Sequence, residues 1–354
     1  MGNYRILFCG DTLLRSKGNV NPFHHVFPIF KYYDLIIINL ETVITDRLLP
    51  AKEKSVVLRT ASKNLDYLSD VRKKVVFSLA NNHIFDYGKE GYCDTVSNLR
   101  NKGFRFVPLD KPLRLWELTL YSTSPSIKNP FQEKIISGNH KFDDSGVNIV
   151  IIHWGEEHVM LPSPRQVRLA KDLISRGVNL IVGSHPHVPQ PLGKINDIPV
   201  AFSLGNFNFT QFDIQPTFLN HLGYMLGVNI QEGKIYNVKR IWYKVNSQLQ
   251  PVPLTSSCSR KLDMIFQDIS EKITVNFRYW LGYMRHSSYI YLRTNLKGGC
   301  LPRLRKYGLR HLPPLLKWLF HPKTVLRVPF IFVKDDSVFR EVRSTFLEAT
   351  SLIS

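Results

Sequence analysis

Val182-Gly-Ser-His-Pro-His-Val-Pro-Gln190 is the stretch from which the rest of the chain is read. Just before and into it, Asn179-Leu-Ile-Val182 is a short apolar run of the kind that becomes a buried strand. Gly183 follows, then His185 and His187 with Pro186 between them. Residues two apart in extended backbone project to the same side. Pro186 fixes its own φ and biases His185 away from helix. The expectation is two imidazoles leaving one strand end in parallel, a geometry suited to a metal ion. A lone histidine reads as core or surface. The pair gains weight because other strand ends in this chain finish in similar residues.

Working outward, Tyr4 to Cys9 is a short apolar run that ends in Gly10-Asp11. Asp34-Leu-Ile-Ile-Ile-Asn-Leu-Glu41 repeats the pattern, and Val75 to Ala80 runs into Asn81-Asn82-His83. Val147-Asn-Ile-Val-Ile-Ile-His153 and Pro199 to Asn206 do the same. Near-continuous apolar runs of this length suit strands covered on both faces. Further strands are predicted at Phe104 to Val107 and Trp116 to Tyr121, with a late hairpin from Tyr224 to Ile230 and Ile235 to Val245. Helical spacing occurs over Ser62 to Lys73 with Ser62 as N-cap, over Gly88 to Lys102, and over Pro164 to Arg176. Strands alternating with helices, then a hairpin, predict an α/β sandwich with mixed sheets. Ligand sites in such sheets form beyond the carboxyl ends of strands.

Pro251-Val-Pro253 and Thr255-Ser-Ser257 read as a linker. The expected division is residues 1–250 as the main domain and 251–354 as a basic helical extension. In that extension Lys261 to Tyr283 has helical spacing, and Asp335 to Leu352 reads as a last helix. The formal net charge of the 354 residues is +19, and no acidic residue falls between Glu271 and Asp335. Such a balance implies an anionic partner. The basic, aromatic segment Leu312 to Phe320 reads equally as a membrane-surface element or as an ordinary appendage packed on the core. No helix-turn-helix, RNA-recognition or zinc-finger pattern speaks for nucleic acid.

The four cysteines (Cys9, Cys93, Cys258, Cys300) have no Cys-X-X-Cys spacing, which argues against a zinc ribbon or a disulfide framework. The apolar run Arg5 to Asp11 is too short for a signal peptide, and no stretch reaches the roughly 18 apolar residues of a membrane span. The expectation is a cytoplasmic protein, peripheral on the inner membrane surface if the basic region engages lipid.

Asp, Glu, Asn and His together make a hard-to-borderline ligand set, suited to Mn, Fe, Co or Zn. Two ions about 3.5–4 Å apart would clamp the oxygens of an in-line displacement and activate a bridging water. Taken singly, Asp11 also reads as a turn residue, Glu41 as a helix N-terminal carboxylate and Asn82 as an Asx turn.

The motifs Phe8-Cys-Gly-Asp11, Asn39-Leu-Glu41, Leu79-Ala-Asn-Asn-His83-Ile-Phe-Asp86-Tyr-Gly88, His153-Trp-Gly-Glu156, Gly183-Ser-His-Pro-His187-Val-Pro-Gln190 and Phe202-Ser-Leu-Gly-Asn206-Phe207 stand in this order. Together they resemble the CapA family of bacterial capsule and poly-γ-glutamate synthesis proteins, over about residues 4–245. The resemblance implies a calcineurin-like metallophosphoesterase fold, a four-layer α/β/β/α sandwich. It implies Asp11, Glu41, Asn82, His153, His185 and His187 as metal ligands. It implies His83 as general acid, oriented by Asp86, with Asn39, Glu156 and Asn206 lining the pocket. The implied function is a metal-dependent hydrolase of a phosphoester or related bond, working through a metal-bridged hydroxide on a phosphorylated substrate or anionic polymer. The alternative is a non-catalytic capsule-assembly subunit that binds an acidic polymer or a synthase. One departure favours the alternative: Leu13 stands where metallophosphoesterases carry the histidine of an Asp-X-His pair.

Overall fold

The structure, a computed structural model, describes residues 2–18, 20–51, 56–143, 146–209, 219–271, 273, 276–295, 316–317, 319–331, 347–349 and 351–352. The strands are β1 (Asn3–Thr12), β2 (Leu35–Leu40), β3 (Val43–Ile44), β4 (Arg59–Thr60), β5 (Val75–Ser78), β6 (Arg105–Val107), β7 (Leu113–Leu115) and β8 (Leu118–Thr123). They continue with β9 (Val147–His153), β10 (Leu180–Ser184), β11 (Leu192–Ile195), β12 (Ile198–Ala201), β13 (Asn206–Asn208), β14 (Leu222–Gln231), β15 (Lys234–Val245) and β16 (Pro251–Pro253). The helices are α1 (Phe27–Tyr32), α2 (Gly88–Asn101), α3 (Pro130–Ser137), α4 (Pro164–Ser175), α5 (Ser256–Glu271), α6 (Phe277–Arg293), α7 (Pro322–Val325) and α8 (Val328–Ile331).

The fold is mixed α/β. One sheet runs β16-β15-β14-β1-β2-β5-β6, with the short β13 also paired to β1. A second runs β11-β12-β10-β9-β8-β7. The central neighbours β1, β2, β5 and β6 are parallel, as are β8, β9, β10 and β12. Parallel strands covered on both faces carry no polar alternation. Accordingly, Leu35–Leu40 and Val147–His153 are buried at every position.

The alternating side chains sort into three apolar layers. Ile6, Phe8 and Ile37 of the first sheet meet Ile149, Ile151 and Val182 of the second in one cluster. Leu7, Ile36 and Ile38 face the other way, onto Phe30 of α1 and Leu99 of α2. Val150, Ile152 and Ile181 face Ile135 of α3 and Val167 of α4. Each fully buried side chain of this size contributes about 1.5–3 kcal/mol. α4 shows how locally specified such a helix is. Ser163 and Gln166 form a reciprocal capping box, Pro164 occupies the first turn, and Val167, Ala170 and Leu173 make the buried stripe.

Several expectations are corrected. Pro251–Pro253 is an edge strand paired to β15, not a linker; proline is tolerated at an edge, where its missing N–H is not needed. The helix expected over Lys261 to Tyr283 is two helices, α5 and α6, and Asn276 caps the second by accepting from the Tyr279 N–H. Leu262 and Phe266 of α5 lie in the cluster between the two sheets. Ser62 to Lys74 is a 3-10 helix entered from Ala61, without a side-chain cap. Trp116 sits in the turn between β7 and β8 at φ 55 and stacks on Tyr4. The predicted late hairpin is β14 and β15, closed by Glu232 and Gly233, both at positive φ, as a tight hairpin turn requires. Most of Leu312 to Phe320 and of Asp335 to Leu352 lies outside the described residues. Among the described residues no helix is long and apolar enough to cross a membrane.

Candidate metal centre

The parallel strands deliver their carboxyl ends to one rim. Asp11 belongs to β1, which continues past it to Thr12; a register shift between Cys9 and Asp11 accompanies the change of partner. Beyond it β1 pairs with β13, matching Asp11 with Asn206. Gly10 makes this possible, since a Cβ there would collide with the backbone oxygen of Gly205. Asn39 is in β2, and Glu41 follows that strand directly. Asn82 and His83 lie in the turns after β5, and His153 is the last residue of β9.

His185 and His187 follow β10, but not in extended backbone as expected. Their φ values are 96 and 58, so the chain coils through the left-handed region there. The rings are 6.0 Å apart and inclined by 54°, not parallel. Convergence at the rim comes from this turn rather than from strand alternation.

Among the described residues three groups bring ligand atoms within 4.8 Å of one another. They are Asp11, Glu41 and His187; Glu41, His153 and His185; and Glu157, His185 and His187. Asn82 joins the second group, its Oδ1 lying 2.7 Å from His153 Nε2. Glu41 is common to two groups and is fully buried. Neither of its carboxylate oxygens has a hydrogen-bond partner among the described residues. A buried carboxylate in that position is costly unless a cation meets it. Burial and the neighbouring Asp11 push the Glu41 carboxyl well above its usual range. Burial also holds His153 and His185 neutral, each pushed down to about 3. Neutral imidazole is the form that binds metal. The donor set therefore fits a divalent cation.

Around these atoms sit groups that orient them. Asn39 Nδ2 donates to Asp11 Oδ1 at 2.7 Å. The His185 backbone N–H donates to Asp11 Oδ2 at 3.2 Å. Asn206 Oδ1 accepts from His187 Nδ1 at 2.9 Å, and Ser184 Oγ lies 3.0 Å from His153 Nδ1. Second partners of this kind fix the ring and tautomer of a ligating histidine. Burial lowers the His187 pKa, but Glu41 and Asp11 outweigh it and raise the group to about 10. His83 lies beside this set and bonds through Nδ1 to Asp86 Oδ2 at 2.7 Å. The same Asp86 oxygen accepts the Leu58 N–H at 2.8 Å.

Of the residues expected to line the pocket, only Glu156 borders the cavity of about 510 Å³ that opens from Asn82, His153 and His185. Its carboxylate is engaged by Arg327 at 2.9 and 3.0 Å. Asn39 and Asn206 are buried behind Asp11 and His187, where they orient instead of lining. Glu157 was missed. Gly155, at φ 95, turns the loop after His153, so that Glu157 lies by the histidines while Glu156 is held by Arg327. A glycine two residues after a strand-end histidine is the signal that could have found it. His158 was missed as well; it is buried against His187, with ring centroids 6.1 Å apart.

Comparison with known proteins agrees with the motif order. The family profile described as "Bacterial capsule synthesis protein PGA_cap" matches residues 5–110 and 118–211. The "PGA biosynthesis protein CapA" of Bacillus subtilis (strain 168) is 29% identical over 239 residues, covering 58% of this chain and 63% of that protein. The "Capsule biosynthesis protein CapA" of Bacillus anthracis is 27% identical over 237 residues, covering 56% of each. A "Probable polyglutamine synthesis accessory protein" of Mycobacterium tuberculosis (strain ATCC 25618 / H37Rv) is 26% identical over 214 residues, covering 49% of this chain and 55% of that protein. The match thus spans less than two thirds of each relative. With a profile match over more than half its length, the chain belongs to the bacterial capsule synthesis protein family.

Proposed function

We propose that this chain is a metal-dependent hydrolase in the synthesis of a capsule or surface polymer, of the poly-glutamate kind named in its relatives, acting on a phosphoester or related bond. The observation that carries the reading is Glu41: a fully buried carboxylate with no hydrogen-bond partner among the described residues, at the meeting point of three histidines and Asp11. The two facing sheets with helices outside them support a four-layer metallophosphoesterase-like sandwich.

Two ions of the Mn, Fe, Co or Zn type fit the shared Glu41. Asp11, Glu41 and His187 would hold one; Glu41, His153, His185 and Asn82 would hold the other. When bound, such ions lower the pKa of water and neutralise charge on the reacting group. His83 is the residue that would give a proton to the leaving oxygen. Asp86, 2.7 Å from Nδ1, orients the ring for that transfer. Purified protein is expected to carry Mn, Fe, Co or Zn and to hydrolyse a phosphodiester. Absence of these metals, with no hydrolysis when they are added, overturns the proposal.

One observation favours a second reading, a non-catalytic assembly subunit that binds an acidic polymer or a synthase. Leu13 is buried in an apolar cluster with Leu58 and Phe209, where the metallophosphoesterase pattern has a histidine. A folded His185→Ala, His187→Ala variant that still supports polymer production favours that reading.

A further inference from the structure

Arg165 and Arg168 are exposed on the first turns of α4 and border the same cavity as Asn82, His153 and His185. Three apart on a helix, they share a face, with Cβ atoms about 5–6 Å from each other. Neither makes an ion pair with a carboxylate among the described residues. Glu156, the acidic residue among those bordering the cavity, is already held by Arg327. One end of the cavity is therefore the candidate metal centre, and a wall beyond it carries two uncompensated cations.

α6 also lines the cavity, supplying Trp280, Tyr283 and Met284. Trp280 keeps 37% of its surface exposed. α6 is fixed beside the start of α4: the Tyr279 hydroxyl donates to the Pro162 carbonyl at 2.6 Å, two residues before α4 begins. All of α6 lies beyond residue 211, where the family match ends. A guanidinium fork matches a carboxylate or a phosphate, and an exposed indole gives the connecting chain an apolar platform.

We propose that Arg165 and Arg168 form a second anion subsite, with Trp280 lining the same cavity. The substrate is then an oligomer that carries an anionic group on successive units. Its reacting bond lies at the metal end, and its neighbouring unit sits between α4 and α6. The assignment of the reacting end rests on the hydrolase reading above; the subsite itself is tested by binding alone.

The experiment is calorimetric titration of the full chain with γ-linked triglutamate and, separately, with inorganic tripolyphosphate. The wild type is expected to bind one of them in a salt-sensitive manner, and the one bound identifies the anion as carboxylate or phosphate. The Arg165→Ala, Arg168→Ala variant is expected to bind it about tenfold more weakly, a loss of about 1.4 kcal/mol. The single Arg165→Gln and Arg168→Gln variants serve if the double variant does not fold. Protein without metal or hydrolysis that still shows arginine-dependent binding defeats the hydrolase reading and leaves the subsite standing. Binding of neither probe by the wild type, or equal binding by wild type and arginine variants, overturns the subsite.

Discussion

His153 Nε2 lies 2.7 Å from Asn82 Oδ1. An amide oxygen can only accept, so without a cation the imidazole carries its proton on Nε2 and its Nδ1 accepts from the Ser184 hydroxyl at 3.0 Å; a cation at Nε2 takes the other tautomer, with Nδ1–H donating to Ser184 Oγ. These two facing atoms are the donors that both residues would offer a cation. Asn82→Ala is expected to weaken Mn binding by at least the about 10–100-fold seen when an orienting partner is lost. Metal titration of the folded variant checks this, and an unchanged affinity removes Asn82 from the centre.

Asn206 acts from behind. Its Oδ1 holds His187 Nδ1, and its Nδ2 donates to the Asn220 carbonyl, so the amide cannot flip without losing both bonds. Asn206→Ala is expected to lower metal affinity about 10–100-fold through His187. Asn206→Asp should keep more of it, because the accepting oxygen remains. Equal losses in the two variants would point to packing in place of orientation.

The metal-free protein has an opposed pH dependence. His153 and His185 are held neutral by burial at about 3, against 6.5 ordinarily. The unfolded chain takes up those protons more readily, so their part of the stability is intact above pH 6.5 and is lost as pH falls toward 3. His187 has the reverse sign. Burial lowers it, but Glu41 and Asp11 raise it to about 10, so its contribution is present below 6.5 and is lost as pH rises toward 10. In chelator, the urea midpoint is expected to peak near neutrality and to fall on both sides. A midpoint flat from about pH 5 to 9 contradicts this coupling.

Asp86→Asn keeps an oxygen for the Leu58 N–H but removes the charge behind His83. If His83 is the general acid, kcat on a phosphodiester is expected to fall by up to the about 10²–10⁴-fold that such a group contributes. Metal content should not change. A variant with full activity takes His83 and Asp86 out of proton transfer.

Gly10→Ala tests the strand junction that carries Asp11. The added methyl meets the Gly205 carbonyl, to which the Asp11 N–H donates at 3.1 Å. The expected cost is about 1–3 kcal/mol in the denaturant midpoint, as for other overpacked sites. A smaller shift would mean that β1 and β13 part easily.

The legible portion of this protein was the part written in runs of one residue class. Leu35–Leu40 and Val147–His153 announce themselves as doubly covered strands, and the polar residues that end or follow them come together at the rim as expected. Pro251–Pro253 misled because proline signals a break, and edge pairing is a tertiary fact. His185 and His187 misled in conformation: their positive φ values are imposed by the surrounding fold, not by local preference. Glu156 and Glu157 are adjacent and chemically alike. Only the turn at Gly155 and the position of Arg327, 171 residues away, decide which one lies by the histidines.

Because β1 is flanked by β2 on one side and by β13 and β14 on the other, β1 leaves the ribosome well before the strands that cover its second edge. The His185 N–H that braces Asp11 is 174 residues downstream of it. Until those late segments emerge, an apolar strand waits with one edge bare, the condition in which nascent chains recruit chaperones or aggregate. Production of this protein should therefore respond more to the pace of translation and to holdase supply than its finished, well-covered sheets would suggest.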